Sequence, residues 1–403
     1  MSCPRSVAYK RLASAVPLIV HGQGVFLFDV PEAGRPCWFT FLDASGEKGL
    51  RVEFTDTSVF VTNIQTKEAF VDPKCQPGLS PKAGAFYWFS IDAPNGCLRA
   101  GIGEARVETA TYNYVFPAAL HASNRAFLES IVTISIPVPT VSVRCLRMLR
   151  DPVTTRVPMR VQKTDHLTML DIGKGTYLPH THMTPVSQQM YGAISGCKFV
   201  LDDSDFPDFS KAIQHSINTP GLWCNKKLQD KSTEFNPDKP NRLETYLRIT
   251  LNQNNGESPG IPYVMEIWPS AHYSPIHSHA GASAVIRVLH GSIHVALFPF
   301  LCDQKGGGLS FGTERFDKGD ITWISPTLNQ THKLGNMEKD VCVTIQCYMY
   351  EGDDTKHYDY FDYIDSDGNK KQYEPDSDMD YVAFRALMKE EWEARVRPRF
   401  WCC

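Results

Sequence analysis

The sequence predicts a mainly β protein in two parts, a sandwich-like N-terminal half and a barrel-like C-terminal half with flanking helices. Three observations predict it. In residues 17–116, short alternating apolar segments are separated by Gly, Pro and Asp turns at roughly eight- to twelve-residue intervals, the signal of an all-β sandwich or barrel. A second β-branched, glycine-punctuated ribbon occupies residues 268–297. Between them, residues 197–241 turn to Asp, Ser, Lys and Asn around one apolar-periodic patch, so the expected domains are residues 1–197 and 198–403. One core is too few for 403 residues, and 42% hydrophobic with 21% charged residues is ordinary for a globular chain.

In chain order, the N-terminal strands are GVFLFDV, CWFTFLD, LRVEFTDTSVFVTNI, AFYWFSIDA, CLRAGIG and TYNYVF. Tyr87, Trp88 and Phe89 precede an Asn95-Gly96 hairpin in a segment that resembles small ligand-binding β-sandwich modules, which implies a ligand or protein partner for this half. Aromatics in such strands more often fill a sandwich core. Strands continue through residues 131–148, and residues 167–194 carry no clear pattern. FPDFSKAIQHSI reads as a helix leading into the second domain. A closing amphipathic helix over residues 379–396 is expected to set Tyr381, Val382, Phe384, Leu387, Met388 and Trp392 against the barrel.

The ribbon carries the chemistry. Side chains alternate across a strand, so His277 and His279 project from one face, a geometry that suits a metal ion. The run GGGLSFGTERFDKGDITWISP reads as strand, turn, strand, and returns the chain with His332 to the same end of a barrel. Three neutral imidazoles with open positions make a metal site of the catalytic kind. The apolar residues on either side of His290-Gly291-Ser292 read as two antiparallel strands joined by a turn. A second pair, His180 and His182, has no spaced third histidine and reads as a surface loop or interdomain contact.

His277-x-His279 with Val288-Leu289-His290-Gly291, and Asp317-Lys318-Gly319-Asp320 with His332, resemble the two motifs of the cupins, small β-barrels of the RmlC-like type. Most cupins add a glutamate four or five residues after the second histidine, where this chain has Ser283 and Ala284, and no carboxylate occurs between Glu266 and Asp303. The last half of the chain is therefore more similar to the cysteine dioxygenase family of thiol dioxygenases. That resemblance implies ferrous iron on His277, His279 and His332, other divalent metals remaining open, with a small thiol and dioxygen as substrates. It further implies that Arg248, in Tyr246-x-Arg248, grips a substrate carboxylate, that Trp268 and Tyr246 belong to the substrate site, and that Tyr350 is the nearby catalytic tyrosine. Read without the resemblance, Arg248 would be an ordinary salt-bridging residue and Tyr350 a core tyrosine.

Three positions depart from the family. Ala284 stands where animal members carry a cysteine crosslinked to the tyrosine, Tyr348 where a histidine is usual and Gln346 where a serine is. These bear on substrate identity and leave metal binding intact. Cysteine is the first expected substrate, 3-mercaptopropionate the second, and cysteamine the third because Arg248 anticipates a carboxylate. Tyr348 beside Tyr350 also keeps open a metal-dependent lyase or isomerase acting on a small carboxylate substrate. A third reading is a non-catalytic module whose metal is structural, for which Glu266, Glu314 or Cys347 would supply a fourth ligand.

Composition narrows the partners. A net charge of -4 offers no broad attraction to nucleic acid or to an anionic membrane. No apolar run of about 18 residues occurs, and residues 13–20 lack a signal-peptide layout, so a cytoplasmic protein is expected. Twelve cysteines without CxxC spacing are expected to be reduced thiols, and the terminal Cys402-Cys403 to be a frayed tail.

Overall fold

The computed structural model describes residues 6–8, 15–30, 32–118, 121–135, 144–251, 263–350 and 360–396; Cys402 and Cys403 lie outside them. The chain divides into two compact units, residues 1–156 and 157–403.

The first unit is an antiparallel sandwich. One sheet orders Ser6–Ala8, Arg144–Leu149, Gln23–Asp29, Phe86–Asp92, Cys97–Ile102 and Ala110–Val115; the other orders Ala15–Pro17, Ile131–Ser135, Cys37–Asp43, Gly49–Phe54 and Val59–Asn63. Alternate residues of facing strands meet between the sheets, where Phe26 stands edge-on to Phe39 at 5.2 Å, Phe28 to Phe54 at 5.0 Å, and Phe41 tilts on Phe89 at 5.0 Å. Tyr87, Trp88 and Phe89 are all fully buried, Trp88 with Val25, Leu27 and Val153. These three aromatics are core, and none offers a ligand a face.

The second unit is a double layer of β-sheets. An eight-stranded sheet runs Tyr177–Pro179, Arg160–Gln162, Ile321–Ile324, Ser283–His290, Cys342–Met349, Tyr263–Trp268, Leu247–Thr250, Met379–Asp380. A six-stranded sheet runs Gly312–Asp317, Ser292–Leu297, Thr331–Gly335, Ile276–Ser278, Phe361–Ile364, Lys370–Tyr373. The apolar lining between them includes Val288, Ile293, Val295, Phe316 and Trp268.

The strands flanking Gly291 correct an expectation. Ser283–His290 pairs with Ile321–Ile324 and Cys342–Met349, whereas Ser292–Leu297 pairs with Gly312–Asp317 and Thr331–Gly335. They are a corner between sheets, not a hairpin. Gly291 makes the corner at φ 68°, and a Cβ there would lie 2.6 Å from the Val341 carbonyl oxygen.

Helices Phe209–Asn218 and Tyr381–Ala394 form as expected and cover the outer face of the large sheet, where Phe209, Ile213, Phe384 and Met388 bury Leu247, Ile249, Met265 and Ile267. Val382 is the exception, 72% exposed on the solvent side of its helix. Helix Pro185–Ile194 starts on a proline, and the Thr184 hydroxyl accepts from the Ser187 amide. Its Met190, Tyr191 and Ile194 pack with Val285, Trp323 and Cys347 of the large sheet. Residues 157–197 therefore belong to the second unit, and the division falls at residue 156 and not near 197.

Candidate metal centre

Strand pairing assembles the three histidines. Ile276–Ser278 runs antiparallel to Thr331–Gly335 with His277 directly opposite His332. His279 follows two residues on, and the turn Ala280-Gly281, both at positive φ, swings the chain away into the next strand. The ring centroids lie 4.9 Å (His277 to His279), 4.6 Å (His277 to His332) and 4.9 Å (His279 to His332) apart. One ligand nitrogen from each lies within 4.8 Å of the others, and among the described residues this is the one such cluster of metal-ligating side chains.

Hydrogen bonding fixes which nitrogens face inward. His277 Nδ1 donates to the Pro275 carbonyl at 3.1 Å and His332 Nδ1 to the Asn329 carbonyl at 2.9 Å, so in both rings Nε2 carries the lone pair. The Nε2 atoms of His279 and His332 stand 3.2 Å apart, and His279 Nδ1 is buried without a partner. Burial, helped by the His332 imidazole beside it, lowers His277 to about 3. Burial lowers His332 to about 4 and, with both neighbouring imidazoles, holds His279 well below its ordinary value. Three converging, neutral imidazoles, His279 and His332 buried and His277 half-buried, fit a divalent cation, which accepts these lone pairs and needs no proton removed.

The same shifts predict how stability depends on pH. In the unfolded chain each histidine takes a proton below about pH 6.5, but the folded site excludes it until about pH 4 or lower. The unfolded state therefore binds more protons through that window, and the metal-free second unit loses stability as pH falls, by up to about 4 kcal/mol per pH unit. Urea midpoints at pH 7 and pH 5 measure this; His332→Leu should flatten the average slope over that range by about 1 kcal/mol per unit, and an unchanged slope contradicts it.

Beside the histidines lies a cavity of about 430 Å³, part of it open to solvent. Tyr246 stacks on Trp268 at 4.3 Å to form one wall, and Phe235, Phe361, Tyr363 and Tyr373 line others. Arg248 and Glu266 are cross-strand partners on Leu247–Thr250 and Tyr263–Trp268, joined by a 2.7 Å hydrogen bond from Arg248 Nη1 to Glu266 Oε1. Both are buried. Burial pushes the Glu266 carboxyl up, and the Arg248 guanidinium restrains the shift. Tyr348 stacks over His279 at 5.5 Å, and Arg248 hydrogen-bonds its hydroxyl. Burial raises that phenol well above its ordinary value.

Seven of the eight residues expected from sequence line this site, among them His277, His279, His332, Arg248, Tyr246 and Trp268. Tyr348 joins them. Tyr350 does not, because it follows the end of Cys342–Met349 and is absent from the lining. None of the three suspected fourth ligands is in the cluster. Glu266 is tied to Arg248, Glu314 pairs with Arg160, and the Cys347 thiol faces the other side of its sheet, toward the Met190 and Val285 carbonyls. His180 stacks on Tyr191 and accepts from the Thr164 amide. Sequence reading gave Glu266 no role with Arg248. The available signal was that each is the single charge in an apolar strand, LRIT and YVMEIW.

No family model matches the chain. Part of it is similar to the cupin domain of Cnp3 from Schizosaccharomyces pombe, with 13% identity over 26% of this chain and 65% of that one and a TM-score of 0.21. It is similar to a cupin superfamily protein from Desulfitobacterium hafniense, with 9% identity over 27% of this chain and 79% of that one and a TM-score of 0.20. A third likeness is to oxalate oxidase in complex with the substrate analogue glycolate, with 13% identity over 27% of this chain and 51% of that one and a TM-score of 0.20. The chain spans less than two thirds of the Cnp3 and oxalate oxidase chains. TM-scores of this size carry no weight for activity. The two-sheet architecture rests on the sheet order, the corner at Gly291 and the His277–His332 register. No described helix is long and apolar enough to cross a membrane.

Proposed function

We propose that the second unit oxidises a small thiol to its sulfinate with dioxygen, using ferrous iron on His277, His279 and His332. The observation that carries this reading is the charge of the ligand set: three neutral imidazoles converge, and the carboxylate on the cavity wall, Glu266, is engaged elsewhere. When bound there, the dication supplies a charge that favours a thiolate and open positions for small ligands.

The rest is done by this chain's own residues. His277 and His332 are locked by their carbonyl partners into the tautomer that offers Nε2. The aromatic wall of Tyr246, Trp268 and Phe361 excludes water from the thiol carbon chain. Tyr348, held protonated, directs a hydroxyl donor at the face of the site beside His279. The reaction balances without a further reductant: four electrons pass from the thiol sulfur to dioxygen, both oxygen atoms end on sulfur, and the thiol hydrogen remains as the acid proton.

The test is dioxygen uptake by anaerobically purified, iron-loaded protein given L-cysteine, 3-mercaptopropionate and cysteamine in turn. The expected result is thiol-dependent uptake of one dioxygen per thiol lost. No uptake with iron demonstrably bound overturns the reading.

A further inference from the structure

A second cavity lies inside the double layer, on the far side of His332. Alternation on Ser283–His290 turns Ile286 and Val288 into it, and alternation on Ser292–Leu297 turns Ile293, Val295 and Leu297 to face them. It encloses about 440 Å³, part of it open to solvent, and every residue that lines it is buried. His332, Leu334 and Gln346 line both cavities, so the two abut there. Their chemistry differs. The first carries Arg248, Glu266 and four tyrosines, whereas the second has no ionisable side chain except His332.

Little in this inner chamber holds water. The Asn329 side-chain amide donates to the Trp323 carbonyl at 2.9 Å, the Asn329 carbonyl accepts from His332, and Gln346 hydrogen-bonds Glu266 in the first cavity. At most the Thr322 hydroxyl is left over among the side chains, where a buried water takes about two to four partners. Unfilled apolar space in a close-packed interior costs stability, so a chamber of this kind calls for an occupant that needs no hydrogen bond.

We infer that the inner chamber is a site for dioxygen, which reaches the three-histidine centre past His332 and Leu334 while the thiol occupies the first cavity. This rests on the dioxygenase reading and gives its second substrate a place of its own. Dioxygen is small, uncharged and more soluble in apolar media than in water, so a dry aliphatic chamber concentrates it, and the ionic wall of the first cavity offers it nothing. A thiol seated among Tyr246, Trp268 and Phe361 also fills the polar approach to the histidines. The chamber leaves a second approach, on the His332 side.

Xenon, a small apolar atom that takes no part in the reaction, is the probe. Crystals of the iron-loaded protein under xenon pressure should hold it between Ile286, Ile293 and Val295. In solution xenon should lower kcat/KM for dioxygen and leave anaerobic binding of L-cysteine, followed by calorimetry, unchanged. Val295→Phe, which fills the chamber from its wall, should lower kcat/KM for dioxygen by about tenfold, the scale on which one methylene changes binding in an apolar pocket, again with L-cysteine binding unchanged. A chamber that stays empty under xenon, or dioxygen kinetics indifferent to xenon, overturns the inference and leaves the dioxygenase reading standing. Weaker L-cysteine binding under xenon also overturns it, by showing that the chamber holds part of the thiol. Xenon in the chamber of a protein that consumes no dioxygen with any thiol overturns the dioxygenase reading and leaves a site for apolar gas. The xenon measurements on the unaltered protein decide the matter even if Val295→Phe does not fold.

Discussion

Alanine at position 332 should strip the protein of its metal. His332 supplies one of only three ligand nitrogens, and no carboxylate or thiol among the described residues lies in the cluster to replace it. Loss of an outer hydrogen-bond partner of a metal-bound histidine costs 10- to 100-fold in affinity, so loss of the ligand itself should cost at least about 100-fold. Elemental analysis after dialysis should find about one metal ion per chain in the unaltered protein and almost none in His332→Ala, with thiol-dependent dioxygen uptake lost in step. The matched control is His180→Ala with His182→Ala, which should leave metal content unchanged because His180 is occupied with Tyr191 and Thr164. Full retention by His332→Ala, or loss in the control, would place the metal elsewhere.

The second large effect concerns stability. Arg248 and Glu266 are both buried and share a 2.7 Å hydrogen bond, so removing either leaves an unpaired charge out of water. Arg248→Met and Glu266→Leu should each cost about 3–5 kcal/mol, while the double substitution should recover most of that loss, because it removes both desolvation costs together. Urea denaturation of the two single variants and the double variant measures the coupling. Additive losses would mean that the two side chains do not depend on each other.

The metal cluster was legible because its geometry is local. A two-residue spacing on a strand puts His277 and His279 on one face whatever the rest of the chain does. His332 needed only a strand returning to the same end, which the turn at Asp317-Lys318-Gly319-Asp320 provides through Asp320 donating its amide to the Asp317 carbonyl. Helices Phe209–Asn218 and Tyr381–Ala394 were legible from the spacing of Phe209, Ile213, Phe384 and Met388.

What failed depended on long-range pairing. A glycine turn between two apolar strands reads the same whether the strands bond to each other or, as at Gly291, depart into separate sheets. Residues 157–197 contain two three-residue strands, Arg160–Gln162 and Tyr177–Pro179, too short to show a period. Only their pairing, and the seat of Met190 and Ile194 against Val285, assigns them to the second unit. The pairing of Arg248 with Glu266 was not legible because the two stand 18 residues apart, and strand register alone reveals that they face each other. Tyr350 shares the parity of Tyr348, but the strand ends at Met349 and the alternation that carries Tyr348 into the cavity does not reach it.

The most direct test of the account is turnover of L-cysteine by the iron-loaded protein under ¹⁸O-labelled dioxygen, with the product analysed by mass spectrometry. The account predicts cysteine sulfinate carrying two labelled oxygen atoms, formed by the unaltered protein and not by His332→Ala. Unlabelled or singly labelled product, or no sulfinate from protein that holds its iron, would contradict it.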